Sequence, residues 1–151
     1  MSGTLHLLAH VAGRGILFEA EAVDSVVELP AVVPVPGAVA AVRGLTALRS
    51  RIATVIDLGH LLGLRAAGEG QRAVVVVDDG HSYAIAVDSL EDLADYSIAP
   101  PPAGFRHTAA WSIATGVAEG EDETLVVVDP ARLVARVTSP DVNVEITPVA
   151  A

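Results

Sequence analysis

Residues 53–62 read ATVIDLGHLL, and residues 125–134 read LVVVDPARLV. Each begins as an apolar, β-branched run of the kind that fills a buried strand, and each changes period at an Asp, after which apolar residues fall at helical spacing. Asp is favoured at such a junction because its carboxylate accepts a hydrogen bond from one of the first unpaired helix N–H groups, worth ~1 kcal/mol over Ala. Asp57 and Asp129 are therefore predicted helix caps, with Pro130 at a first helical position where its missing N–H costs nothing. A chain that spells strand, Asp and helix twice, 72 residues apart, predicts an internal duplication.

The flanking sequence repeats in the same order. AVDS occurs at residues 22–25 and again at 86–89, an offset of 64. LHLLAHVA and GILFEAEA (5–12 and 15–22) predict one hairpin, and RAVVVVDDGHSYAIAV (72–87) predicts another turning at Asp79 and Gly80. AVDSVVEL (22–29) fits a short helix or a strand, which periodicity alone does not separate. Proline-rich breaks, PAVVPVPG (30–37) and APPPAG (99–104), exclude a central strand or helix and predict surface connections. After each break comes a strand pair: LTALRSRIATVID (45–57) about a turn at Arg49 and Ser50, then WSIATGVA with ETLVVVD (111–118 and 123–129) about the acidic EGED. AAGEGQ (66–71) has linker composition, and the proline-containing stretch 138–151 predicts a frayed tail. The expected architecture is mostly β, built as two units of about five strands and a closing helix, each too small to bury its apolar faces alone and so sharing a core.

Composition narrows function. The net charge is −10, and all nine basic residues are Arg. Nucleic acid is an unfavourable partner, since its binding needs clustered cations, and the five aromatic residues are too few to spare for base stacking. No apolar run approaches the ~18 residues of a membrane span, and MSGTLHLLAH lacks the basic start and cleavage site of a signal peptide, so no membrane insertion and a cytoplasmic location are expected. The absence of Cys agrees, removing disulfides and thiolate chemistry together.

The residues available for catalysis form no recognisable constellation. His6 and His10, four apart on a strand, stand ~13 Å apart along its axis, too far for one metal. His60, His81 and His107 have no carboxylate at ligand spacing. GEGQRA (68–73) matches a dinucleotide-loop pattern but precedes a strand instead of joining strand to helix. Asp78 and Asp79 read as turn formers, and the acidic residues 119–123 as a solvated hairpin tip lacking the ligand alternation of a calcium loop. No catalytic residue, metal or cofactor is expected. What stands out is the trio Arg43, Arg49 and Arg51 on an acidic chain: either surface pairing with neighbouring acids, or a recognition edge of the kind Arg forms at interfaces.

The run VRGLTALRSRIATVIDLGHLLGL (42–64) resembles the signature of CheW-like domains, and the AVDS segment, the proline-rich connection, the 74–88 hairpin and ATGVAEGEDETLVVVDPARLV (114–134) follow in that family's order. The resemblance implies one such domain over 1–151, made of two five-stranded SH3-like or OB-like β-barrels around a shared hydrophobic core. Subdomain limits of about 14–65 and about 72–137 follow from the linker, with the strand at 4–12 available to the second. It also implies a non-catalytic chemotaxis adaptor whose partners are a chemoreceptor's cytoplasmic tip and the regulatory domain of a histidine autokinase. Carried over by position, Val42, Arg43 and Gly44 lie near the receptor-facing surface, where a glycine lets a helix approach the backbone, and Leu48, Arg49, Ser50 and Arg51 form the adjacent hairpin. Val23 and Val87, equivalent in the two AVDS copies, line the region where barrels meet, or are plain core. This chain departs from the family in having Ser50 where a Gly usually follows the hairpin Arg, Ser25 where a Glu often pairs with the equivalent of Arg49, Ala47 for a common Asn, and Gly59 for a basic residue. Those departures leave open a stand-alone interaction module of the same fold serving another signalling scaffold.

Overall fold

The computed structural model describes residues 4–64, 72–104 and 109–138. In chain order they form β1 (Thr4–Val11), β2 (Arg14–Glu19), β3 (Ser25–Glu28), β4 (Val42–Leu48), β5 (Arg51–Asp57), α1 (Leu58–Leu61), β6 (Arg72–Asp78), β7 (His81–Val87), β8 (Ser89–Tyr96), β9 (Ala114–Glu119), β10 (Thr124–Val128) and α2 (Pro130–Thr138). Two sheets of five strands result, ordered β8-β1-β2-β10-β9 and β3-β6-β7-β5-β4. The linker 66–71 and the tail beyond Thr138 lie outside the described residues.

These orders expose the duplication and revise its limits. Matching β3 with β8, β4 with β9, β5 with β10, β6 with β1 and β7 with β2 converts one sheet order into the other. Each sheet has a single parallel pair, β5 with β7 and β10 with β2, and the closing helix follows β5 or β10. The second copy is thus circularly permuted: its last two strands come from the start of the chain. The sheet boundary accordingly does not follow the linker, because β6 and β7 pair with β3 and β5, whereas β1 and β2 pair with β8 and β10. The subdomain limits of about 14–65 and 72–137 fail for that reason. Sequence-local turns mark hairpins but carry no information on which distant strand each hairpin joins.

Strand alternation sorts the apolar residues into three clusters. The largest is the seam between sheets, with Leu7, Ile16, Phe18 and Val126 from one and Ile56, Val74, Ile85 and Val87 from the other. The opposite face of each sheet closes on its own smaller cluster: Ala53, Val55, Ala73, Ala84 and Ala86 in one, and Leu17, Ala118, Leu125 and Val127 in the other. The expected five-strand count and shared core are present, while the ladders stop at the edge strands, leaving a seam between β3 and β4 and another between β8 and β9.

Local details follow the residue chemistry. AVDSVVEL resolves as strand β3, with only its first residue, Ala22, belonging to the 3-10 turn Ala20–Ala22. The first hairpin turns on Ala12 (φ 51°) and Gly13 (φ 84°), one residue earlier than its GRG motif suggests, and the β6–β7 hairpin on Asp79 (φ 53°) and Gly80 (φ 79°). Both are tight two-residue turns between registered strands, which require positive φ at their centre. The proline-rich breaks are exposed, and each makes one bridge to an edge strand, Val33 to Leu45 and Ala99 to Val117.

Tyr83, buried in the seam, has its phenol pushed above the ordinary value of 10.0, first by burial and then by Asp78 and Asp79. The folded state therefore favours the neutral ring. Its contribution to stability is full below the unfolded phenol pKa and is lost as pH rises above that value, because the unfolded chain releases the proton first. Ultraviolet absorbance titration should find one phenol ionising late, and Asp78→Asn with Asp79→Asn should bring it partway down.

Candidate partner-binding surface

The β4–β5 hairpin carries the arginine trio, and the structure uses its members differently. Arg43 is the bulged residue of β4, between the Val42–Ile56 and Gly44–Val55 pairs. The bulge turns its guanidinium onto Asp57, whose Oδ2 accepts from Nε at 3.1 Å and Nη2 at 3.0 Å. The Oδ1 atom of Asp57 accepts from the N–H of His60 at 3.1 Å, the helix cap expected from sequence. The Asp57 side chain is 6% exposed and that of Arg43 25%, so this is a largely buried, fully engaged pair and not a surface contact. Arg51 donates to Ser82 Oγ at 2.9 Å and approaches Asp24 at 3.5 Å. Arg49 is exposed at the turn with φ 47°, and among the described residues it has no hydrogen-bond or ion-pair partner. The positive φ of this turn falls on Arg49 and not on Ser50.

Gly44 also differs from its expected role. Its φ is 145°, and a Cβ there would lie 2.7 Å from the Val33 carbonyl carbon and 2.8 Å from Pro34 Cα. The close approach that needs a glycine is made by the chain's own proline-rich segment, which leaves Gly44 buried. The signal was present in the sequence: Gly116 stands 72 residues on, the offset of the two Asp caps, and there a Cβ would lie 2.5 Å from Ile98 Cγ2 and 3.0 Å from the Ala99 oxygen. Both glycines seat a proline-rich segment on an edge strand. Val87 is fully buried in the seam and the half-buried Val23 packs against it, in keeping with the reading of both as core. Val42 is half-buried.

The remaining candidates do converge. Leu48, Arg49, Ser50 and Arg51 line one side of a groove of about 510 Å³, and Asp24, Ser25 and the edge strand β3 line the other. This groove is the open seam between β3 and β4. Beside it the outer face of the hairpin is apolar, with Ile52 59%, Leu45 39% and, bridged to Leu45, Val33 67% exposed. An apolar strip next to an exposed Arg is the composition that distinguishes interface centres from ordinary surface.

Whereas the β3–β4 groove carries two Arg and two carboxylates, the matching seam in the other sheet is acidic. It is lined by Glu91, Glu119, Glu121, Asp122 and Glu123, with His10 between them at 3.1 Å from Glu123 and 3.6 Å from Glu91. His6 is buried, His81 lies on β7, His60 is exposed on α1, and His107 is outside the described residues. Among the described residues no three His, Cys, Asp or Glu side chains group closely enough to hold a metal ion, and no helix is long and apolar enough to cross a membrane. Asp129 caps α2, its Oδ1 accepting from the N–H of Ala131 at 3.1 Å.

Comparison with known proteins adds two findings. A family model described as CheW-like domain matches residues 6–138. Among solved structures, the scaffolding protein TtCheW from Thermoanaerobacter tengcongensis superposes with a TM-score of 0.72 at 22% sequence identity, over 83% of this chain and 88% of that chain, a likeness of fold. No curated protein matches the sequence.

Proposed function

Because this chain belongs to the CheW-like domain family, a family of non-catalytic adaptors, we propose that it couples chemoreceptors to a histidine autokinase as a chemotaxis adaptor. It performs no reaction and works by presenting two docking faces at once, recruited to membrane receptor arrays through the receptor. The observation that carries this reading is the β3–β4 seam, where Leu48, Arg49, Ser50 and Arg51 meet an exposed apolar strip. The receptor tip docks on this hairpin face, and the kinase regulatory domain packs against a barrel end. Exposed Arg49 gives a basic point on a chain of net charge −10, so it orients an acidic partner surface during encounter.

Arg49→Glu tests the assignment. The side chain is exposed, so the variant should fold normally by circular dichroism, while its affinity for a receptor-tip fragment falls roughly tenfold or more, the size of a central interface charge reversal. Unchanged binding by a folded variant removes the hairpin from the receptor face. A second reading, an interaction module serving a different signalling scaffold, is favoured by Ser25, a hydroxyl at the position where the family often has a Glu, although Asp24 and Glu28 also line the groove. A chain that ignores receptor tips and kinase domain yet retains an Arg49-dependent partner would support it.

A further inference from the structure

The permuted duplication places one set of residues in two different chemical contexts. Arg43 is the bulged residue of β4, and Thr115 is the bulged residue of β9, between the Val127–Gly116 and Val128–Ala114 pairs. Each bulge lies beside a helix cap held in the same way: Asp57 N donates to Ala41 O at 2.7 Å, and Asp129 N to Ile113 O at 3.1 Å. On the adjoining hairpins, His6 pairs across from Glu19 where the other copy pairs Ala73 with Ala86. One copy therefore holds Arg43, Asp57, Ala73 and Ala86, and the other holds Thr115, Asp129, His6 and Glu19.

In the first copy the guanidinium of Arg43 lies against Asp57, with two alanines on the neighbouring hairpin. In the second copy the arginine is replaced by a short Thr, and a cavity of about 400 Å³ opens, lined by Thr4, His6, Glu19, Thr115 and Asp129. Its ionisable groups present acceptors. Asp129 and Glu19 are carboxylates. His6 is 2% exposed, and its Nδ1 lies 2.9 Å from the Thr4 carbonyl oxygen, which can only accept. Nδ1 must therefore carry a proton, and in that tautomer Nε2 is an acceptor without a partner among the described residues. Among the described residues the cation nearest Asp129 is Arg132, at 3.8 Å and half exposed, a weak surface contact. A metal does not suit the set, since no three ligands group closely enough among the described residues.

We propose that this cavity binds a guanidinium group from outside the chain, in the place that Arg43 fills in the sister copy. A guanidinium supplies donors in a planar fork suited to carboxylates, and the fold already accommodates one at the equivalent position. The source is an arginine side chain of a partner protein or free arginine, which share this chemistry.

Titration of the isotope-labelled protein with methylguanidinium, followed by NMR at constant ionic strength, tests the assignment. Saturable shifts are expected at the amides of Glu19, Thr115 and Asp129, with a Kd on the order of 1 mM for so small a ligand, and methylammonium should bind at least tenfold more weakly. Free arginine and a blocked tripeptide with central arginine then separate the sources: binding of the peptide alone points to a protein side chain, and equal binding to the shared group. Thr115→Arg should place an internal guanidinium against Asp129, raise the Tm by about 2–4 °C and abolish the methylguanidinium shifts. Glu19→Gln, at an exposed position that does not depend on that variant folding, should weaken binding about threefold. Absence of saturable shifts with every guanidinium, equal affinity for methylammonium, or undiminished binding in a folded Thr115→Arg overturns the proposal.

Discussion

Gly44→Ala is expected to destabilise the protein by about 4 kcal/mol, enough to remove most of the stability of an ordinary small domain. Two costs combine. A φ of 145° lies outside the range that L side chains readily adopt, and a Cβ would overlap the Val33 carbonyl and crowd Pro34 Cα, backbone atoms that no rotamer change can move aside. The segment carrying Val33 would have to lift from β4, breaking the paired hydrogen bonds between Val33 and Leu45, each 2.8–2.9 Å. Two controls isolate the cause. Gly37→Ala has φ 84° but open space, so it should cost about 1 kcal/mol. Gly116→Ala meets first the Cγ2 of Ile98, a partly exposed side chain able to turn away, and should cost about 1–2 kcal/mol. Urea denaturation of the three variants checks the order. A Gly44→Ala variant as stable as the parent, yet defective in receptor binding, would restore this glycine to the partner surface.

Asp57→Ala should cost about 4 kcal/mol and Asp129→Ala about 1 kcal/mol, although the two residues cap equivalent helices. Both lose a hydrogen bond to the first helical turn. Only Asp57 also neutralises a largely buried guanidinium, and its removal leaves Arg43 without its carboxylate partner at 3.0–3.1 Å. Removing one member of such a pair is far more costly than the pair's net worth, so Asp57→Ala combined with Arg43→Leu should recover part of the loss. Equal destabilisation by the two Asp→Ala variants would show that capping alone matters at both sites. Partner binding by the folded fraction should be nearly unchanged in each, since neither carboxylate lines the β3–β4 seam.

How far the sequence reveals this molecule depends on the range of each interaction. The Asp caps, the Asp79–Gly80 turn and the proline-rich connections were legible because each is decided by residues within one turn of the chain. The permuted pairing was hidden because β1 and β2 reach their partners across most of the sequence, and the linker-like composition at 66–71 draws the boundary in the wrong place. Which of the two readings of Arg43, pairing with an acid or a recognition edge, applies is not visible in the sequence for a local reason: a bulge reverses side-chain direction, and Val42, Arg43, Gly44 carries no signature of one. Gly44 was legible in principle, since Gly116 at the cap offset points to a role shared by both copies and therefore internal to the fold. The turn position of Arg49 is legible in the sequence, but only the hydrogen-bond pattern separates it from the two arginines the chain uses itself.

On the proposed function, one molecule of this chain holds two partners together without chemistry of its own. Sedimentation of membranes bearing a chemoreceptor, with the kinase regulatory domain in solution and this chain added or withheld, tests it most directly. The kinase domain should enter the pellet only when the chain is present, and Arg49→Glu should reduce its recovery roughly tenfold, in line with a central interface charge. A kinase domain that pellets equally without the chain, or stays in solution although the folded chain binds the receptor, would contradict the account.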